Sequence, residues 1–283
     1  MYPCKYFSQF TWKAKADIIP LKGVDSMVSG KRKRELQEYY VVKSNELIQK
    51  ARYKMTVQQQ KLILYAISKI KKNDLSDQVY DLSIDEVCSV MGIEYDAGGT
   101  YYKRIKDDLL KLTTRIWVKF PDRSEGTVSW LSDAYIIPLS GTVQIKFHER
   151  MTPFLFELQN RYTQYQLSEV LVFKGKYIIR LYELIRSFLT QDELRDGREK
   201  EISFTVDELR ELLSAEKYKD FPEFNRSVLK KAVAEINQCS DVIRISYDTY
   251  KIGKKVSKIV FIVEYPTLMQ KFSAHEESRK RLR

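Results

Sequence analysis

The sequence predicts an α+β fold built from two similar halves, and three observations predict it. A phrase recurs. LSIDEVCSVMG from Leu82 and FTVDELRELLS from Phe204 each read as a short strand, an Asp-Glu pair and an apolar helix. A basic helix follows each copy, TYYKRIKDDLLKL and FPEFNRSVLKKAVAEINQ. Their apolar positions align, Ile105, Leu109 and Leu112 with Leu229, Val233 and Ile236, at spacings of four and three. After each basic helix come β-patterned runs around a turn signal. Helix, strand, helix, turn, helix and a two-stranded ribbon is the winged-helix order. The expected architecture is two tandem winged-helix domains, each a helix-turn-helix with a β-ribbon wing.

Composition allows this. The 283 residues suffice for two domains of ordinary size, and 43% hydrophobic with 31% charged residues is a globular composition. No run approaches the roughly 18–20 apolar residues that span a bilayer. The start, MYPCKYFSQFTWKAK, has no continuous apolar core, so no secretory signal is read there. Cys4, Cys88 and Cys239 are scattered, which argues for a reducing cytoplasm and against a disulfide framework or zinc cluster. Two histidines, His148 and His275, exclude a His-rich metal centre. Neither metal nor cofactor is expected. The net charge of +11 points to a polyanionic partner, namely nucleic acid, anionic membrane or acidic protein. A solvated basic surface is the alternative, and distribution decides between them.

In order along the chain, residues 1–40 read as a basic arm carrying KRKR at Lys31–Arg34. That run is a nuclear signal in a eukaryote and a basic arm or linker in a bacterium. The first winged helix is placed at 41–165. Ser44 and Thr56 are N-caps, and Leu62, Tyr65, Ala66 and Ile70 form an apolar stripe. VYDLS is a strand, IDEVCSVMGI a helix ended near Gly92, and Gly98-Gly99 the turn before the basic helix. RIWVKF and TVSWLSDAYII are strands joined by PDRSEG, and VQIKF is a further strand. The second winged helix is placed at 166–266. KGKYIIRLYELIRSFL is an amphipathic helix with Ile178, Leu181, Tyr182, Ile185 and Leu189 on one face. EISFT is a strand, VDELRELL a helix, and DVIRISYDTY and VSKIVFIVEY are strands around KIGKK. Residues 267–283, ending SRKRLR, read as a mobile basic tail.

In a winged helix the second helix of the turn enters the major groove and the wing reaches the backbone or minor groove. The second basic helix buries Leu229, Ala232, Val233 and Ile236. Its opposite face carries Ser227, Lys231 and Ala234, flanked by Arg226 and Lys230. Small residues beside cations admit base edges. Arg226 suits a bidentate guanine contact, and the lysines suit phosphates. A solvated helical face is the bland alternative. The wing KIGKKVSK adds Lys251, Lys254, Lys255 and Lys258 around one glycine. Such lysines also block edge pairing, but beside a basic helix they favour phosphate. In the first half Lys103, Arg104 and Lys106 face outward, together with Asp107 and Leu110. Leu110 suits packing on the other domain or a second protomer. The first wing mixes Arg123 with Asp122 and Glu125, so this half divides its surface between DNA and protein.

Catalysis fails on inventory. There is no GxxxxGK[ST] phosphate loop, no His-hydrophobic-His nickase motif and no His-x-x-Arg recombinase box. The 19 tyrosines read as packing residues. Asp85-Glu86 and Asp207-Glu208 open helices, where the macrodipole favours negative charge, so they read as capping residues.

KYIIRLYELIRSF, at Lys176–Phe188, resembles the Tyr-x-x-Arg-Leu-Tyr-Glu-Leu segment of the Rep_3 family of plasmid replication initiators. FHERMTPFLFELQNRYTQYQL, read as the preceding helix, and VVKSNELIQKARYKMTVQQQKLILYAI resemble the same family, so the likeness runs from about Val41 to Tyr265. It implies that the two winged-helix domains stand in pseudo-symmetric arrangement, in a cytoplasmic bacterial protein whose monomers bind direct repeats, called iterons, in double-stranded plasmid origin DNA, both domains contacting one repeat on successive grooves. It also implies opening of a nearby AT-rich segment and recruitment of the host replicative helicase and initiation machinery. A homodimer joined mainly through the first domain would repress the initiator's own gene. Carried onto this chain, the reading helices are Tyr101–Leu112 and Phe224–Gln238, and the wing is Lys251–Lys258. Arg180, Tyr182 and Glu183 are structural, Arg180 and Glu183 forming an i, i+3 pair. A dedicated repressor of the same fold is the alternative. A DNA nickase lacks its His motif, and a membrane-surface role does not fit cations gathered on reading helices and a wing.

Overall fold

The structure, a computed structural model, describes residues 39–94, 99–119, 124–137, 140–190, 193 and 199–282. The KRKR arm, Gly98 and Pro121–Arg123 of the first wing lie outside the described residues. The first half runs β1 (Tyr40–Ser44), α1 (Asn45–Lys50), α2 (Val57–Ile67), β2 (Val79–Ser83), α3 (Ile84–Met91), α4 (Thr100–Thr113), β3 (Ile116–Lys119), β4 (Glu125–Val128), β5 (Leu131–Ile137) and β6 (Thr142–Phe147). A short helix, α5 (Thr152–Leu155), leads to β7 (Tyr162–Gln166), α6 (Leu167–Leu171) and α7 (Lys176–Arg186). The second half continues with β8 (Lys200–Thr205), α8 (Val206–Leu212), α9 (Phe221–Phe224), a π turn (Asn225–Leu229), α10 (Lys230–Cys239), β9 (Arg244–Ile252), β10 (Lys255–Glu264) and α11 (Leu268–Arg281). The sheets are antiparallel, in the orders β1-β7, β2-β6-β5, β3-β4 and β8-β10-β9.

Local chemistry starts and stops the helices. Ser44 Oγ accepts the Leu47 amide at 3.1 Å and opens α1. Thr56 and Gln59 form a capping box that opens α2. Gly92, at φ +66°, closes α3, and the Ile93 amide reaches back to the Cys88 carbonyl at 2.9 Å. A side chain at that φ is strained, so glycine is the residue that fits. The repeated Asp-Glu phrase proves to have two uses. Glu208 completes a capping box with Thr205. Glu86 does not cap: its carboxylate accepts from the Tyr65 hydroxyl and from Lys69 Nζ, the latter at 3.3 Å. Burial, with the Glu86 contact adding to it, holds the Tyr65 phenol protonated well above its ordinary range.

Several expectations are corrected. TVSWLSDAYII is two strands. The chain breaks at Ser129-Trp130, so β4 pairs with β3 as a ribbon while β5 pairs with β6. The break has a cause. The Trp130 ring is buried edge-on to Tyr53 at 5.0 Å, and its backbone bonds the Leu112 carbonyl and the His148 amide instead of a ladder partner. FHERMTPFLFELQNRYTQYQL is not a helix. It is the end of β6, a 3-10 turn, α5 and β7, whose Thr163 and Tyr165 alternate inward. VVKS forms β1, the partner of β7. Ile70 and Leu189 lie beyond the ends of α2 and α7. The segment read as a mobile tail is the 14-residue helix α11, opened by a Thr267–Gln270 capping box.

The largest correction concerns α7. It is not amphipathic in its surroundings: every residue from Ile178 to Arg186 is buried, charged ones included. One continuous apolar core takes in both halves and α7. Inside it Glu183 pairs with Lys43 of β1, accepts from the Tyr165 hydroxyl at 2.5 Å and lies 3.9 Å from Arg180, the expected i, i+3 pair. Arg180 donates to the Tyr53 hydroxyl at 2.5 Å and to the carbonyls of Ile48 (3.3 Å), Ala51 (3.4 Å) and Leu212 (3.3 Å). It therefore ties the first half to the second. Arg186 pairs with Glu169 at 2.9 Å, and Tyr182 bonds the same carboxylate. Buried charges are tolerated when they are partnered in this way, although Arg186 Nε is buried without an acceptor.

Candidate nucleic-acid interface

The second reading helix is a continuous rod made of α9, the π turn and α10. The residues at both junctions keep right-handed helical dihedrals, from −55°, −46° at Phe224 to −56°, −41° at Lys230. Pro222 in the first turn suits a helix start, since its missing amide has no partner there anyway. Phe224, Val228, Leu229, Ala232, Ile236 and Cys239 are buried and fix the inner face. Arg226, Lys230, Lys231 and Ala234 are exposed on the other side, and Ser227 is half-buried. The helix thus has the predicted polarity. The π turn inserts one extra residue between the anchors Phe224 and Leu229, a device common at functional sites.

The wing is held to this helix. Asn237 exchanges two hydrogen bonds with the backbone of Ile245, at 2.7 and 2.8 Å, and the Tyr247 hydroxyl bonds Asn225 in the π turn. β9 and β10 meet at a two-residue turn, Gly253-Lys254, with Gly253 at φ +60°. Glycine at the first central position matches the twist of a hairpin. Lys251, Lys254, Lys255 and Lys258 are all exposed on it.

In the first half, α4 buries Ile105, Leu109 and Leu112 and exposes Lys103, Arg104, Lys106, Asp107 and Leu110, as the spacing predicts. Gly99, at φ +72°, starts the helix. Leu110 is 62% exposed. Asp108 is half-buried and accepts from Gln59 at 2.8 Å, while burial raises its pKa. The β3–β4 ribbon is present, pairing Ile116 with Val128 through Lys119 with Glu125. Asp122 and Arg123 at its turn lie outside the described residues.

Sequence reasoning missed the groups that brace the second helix. Glu235, the acid of α10, accepts the Lys174 amide at 2.6 Å and Arg281 of α11 at 3.0 Å. Arg281 also holds Gln238 at 2.9 Å. Lys61 of α2 donates to the Leu171 carbonyl at 2.5 Å, and burial pushes its pKa down to about 8 against the pull of Glu235. The advance signal is Glu235 itself, an acid that follows Arg226, Lys230 and Lys231 on the same helix. Among the described residues no group of His, Cys, Asp and Glu is placed to hold a metal ion, and no helix is long and apolar enough to cross a membrane.

Two helix-turn-helix units, each followed by an antiparallel ribbon and each with cations on the outer side of its second helix, define a tandem winged-helix protein. The chain belongs to the initiator replication protein family. The family's first winged-helix model, described as Initiator Replication protein, WH1, matches residues 40–186, and the second, Initiator Rep protein, WH2, matches residues 205–263. The chain is 27% identical over 175 residues to the PI protein of Escherichia coli, a match covering 55% of each, so it spans about half the length of that relative. It is 26% identical over 234 residues to a replication initiation protein of Escherichia coli, covering 81% of this chain and 71% of that one. Among solved structures, the Pi initiator protein in complex with iteron DNA superposes with a TM-score of 0.64 at 22% identity, covering 81% of this chain and 98% of the other. That likeness is one of fold.

Proposed function

We propose that this chain is a plasmid replication initiator that binds direct repeats in double-stranded origin DNA as a monomer. The observation that carries the reading is the pair of reading helices on one shared core, each with its cations facing outward and a ribbon beside it. The first module (residues 41–165) would present Lys103, Arg104 and Lys106. The second (166–266) would present Arg226, Ser227, Lys230 and Lys231 with the wing lysines Lys251, Lys254, Lys255 and Lys258. Arg226 reads a base and the lysines hold phosphates. Tethering two such modules raises affinity through effective concentration, so one repeat spanning two grooves needs both. Binding then favours opening of the adjacent duplex and recruitment of the host helicase and initiation machinery. The reading gives the chain no reaction of its own and places it in the bacterial cytoplasm. A homodimer that represses the chain's own gene fits the exposed Leu110 on the first reading helix, an apolar residue that suits protein better than phosphate.

The test is footprinting of the purified protein on DNA flanking its own gene over a salt series. Protection of regularly spaced direct repeats, each about two helical turns long, supports the initiator, and affinity should fall steeply with salt. Protection of a single inverted repeat would mark a dedicated repressor instead. Absence of any preferred site would overturn both.

A further inference from the structure

The tip of the second wing exposes two large apolar side chains among its lysines. Tyr250 is 55% exposed and Ile252 77%. A ribbon built only to touch phosphates has no use for them. Their placement follows from strand geometry. Tyr250 and Ile252 are two apart on β9 and share a face. Across the ribbon Ile252 is paired with Lys255 and Tyr250 with Lys258, and directly opposed residues also share a face. Lys255 and Lys258 are three apart, which on a regular strand puts them on opposite faces. A bulge between Val256 and Lys258 supplies the odd residue, Ser257, and returns Lys258 to the side of Lys255. The bulge therefore assembles one face from Ile252, Tyr250, Lys255 and Lys258. The other face carries Tyr247, Ile259 and Phe261 into the core, with the Tyr247 and Phe261 rings 5.9 Å apart.

An apolar tip framed by cations suits the minor groove of a duplex. Phosphates line both walls, and the floor is base edges whose stacking an apolar side chain can interrupt. We propose that Ile252, backed by Tyr250, is a minor-groove wedge that enters between two base pairs and bends the DNA, while Lys255 and Lys258 hold the flanking phosphates. The inference rests on the DNA-binding reading above and adds to it an imposed deformation and the residue that imposes it. A second copy of the chain is the less suitable occupant. Four lysines, Lys251, Lys254, Lys255 and Lys258, surround the tip, and two such tips repel. Bending would also give sequence preference at base steps the reading helices never touch, because flexible steps deform at lower cost.

The test uses the full chain and the duplex mapped by footprinting, with donor and acceptor dyes at its ends. Wild type should shorten the end-to-end distance. Ile252→Ala should return it toward that of the free duplex and weaken binding about tenfold, with the slope of log affinity against log salt unchanged. Ile252→Phe should keep the bend. Lys255→Ala and Lys258→Ala should each lower the salt slope by about one. If Ile252→Ala binds and bends like wild type, the wedge is wrong. It is equally wrong if that variant leaves DNA binding intact but converts a dimer to a monomer in sedimentation, which would make the tip a protein contact. A wild type that binds its site without bending it overturns the wedge alone. A wild type with no preferred site overturns the DNA-binding reading and the wedge together.

Discussion

Lys43 and Glu183 meet in the centre of the protein, where neither reaches water. Removing one charge strands the other. Glu183→Gln should cost about 3–5 kcal/mol in urea unfolding, because Lys43 stays buried with its counter-charge gone. The double variant Lys43→Met/Glu183→Leu should recover only part of that loss, since it removes the stranded lysine but still leaves Arg180 without its carboxylate neighbour and the Tyr165 hydroxyl without its acceptor. Lys61 gives a prediction with a pH signature. Its folded pKa of about 8 lies below the ordinary 10.5. Between those values the unfolded chain holds a proton that the folded chain has lost, so this group's contribution to stability rises with pH across that window, and its full cost is felt below pH 8. Urea titrations of wild type and Lys61→Met should show wild type gaining relative to the variant between pH 8 and 10. No such gain would mean Lys61 stays charged through that range.

The reading helices are where residue types turn into separable functions. Arg226→Ala should lose about 1–3 kcal/mol at one base position and relax selectivity there, whereas Lys231→Ala should weaken all sequences alike and lower the salt slope by about one. Competition binding with single-base variants of the mapped site separates the two outcomes. Both helices and the second wing were legible in the sequence because their signals are local: apolar spacing sets the buried face, caps set the ends, and a glycine sets the turn. The candidate cations face outward wherever their side chains are described. What was illegible depends on partners distant in sequence. Trp130 ends β4 because Tyr53 and the Leu112 carbonyl wait for it, and nothing within TVSWLSDAYII says so. The charges of α7 mimic a solvent face because a sequence displays a charge without its partner. The π turn leaves no compositional trace, since its residues, Asn225–Leu229, would equally make regular helix. Glu235 looks like a flaw on a basic helix until Arg281 and Lys174 are seen beside it.

At the scale of the whole molecule the two halves share one core, with α7 running through it. They should therefore unfold together. Trp117 and Trp130 lie in the first half and Trp12 precedes it, so no tryptophan's fluorescence reports the second half, while far-UV circular dichroism reports the whole chain. The two signals should trace one coincident urea transition; separated midpoints would show halves that melt independently. The way α7 joins them bears on how such a chain can age. Three of the groups that Arg180 engages, at Ile48, Ala51 and Leu212, are main-chain carbonyls. Every residue type supplies that group, so the substitutions that accumulate over generations can rewrite the side chains at those three sites without unhitching the halves. So long as Arg180 itself stays, a lineage can then diverge widely at those positions and keep the joint.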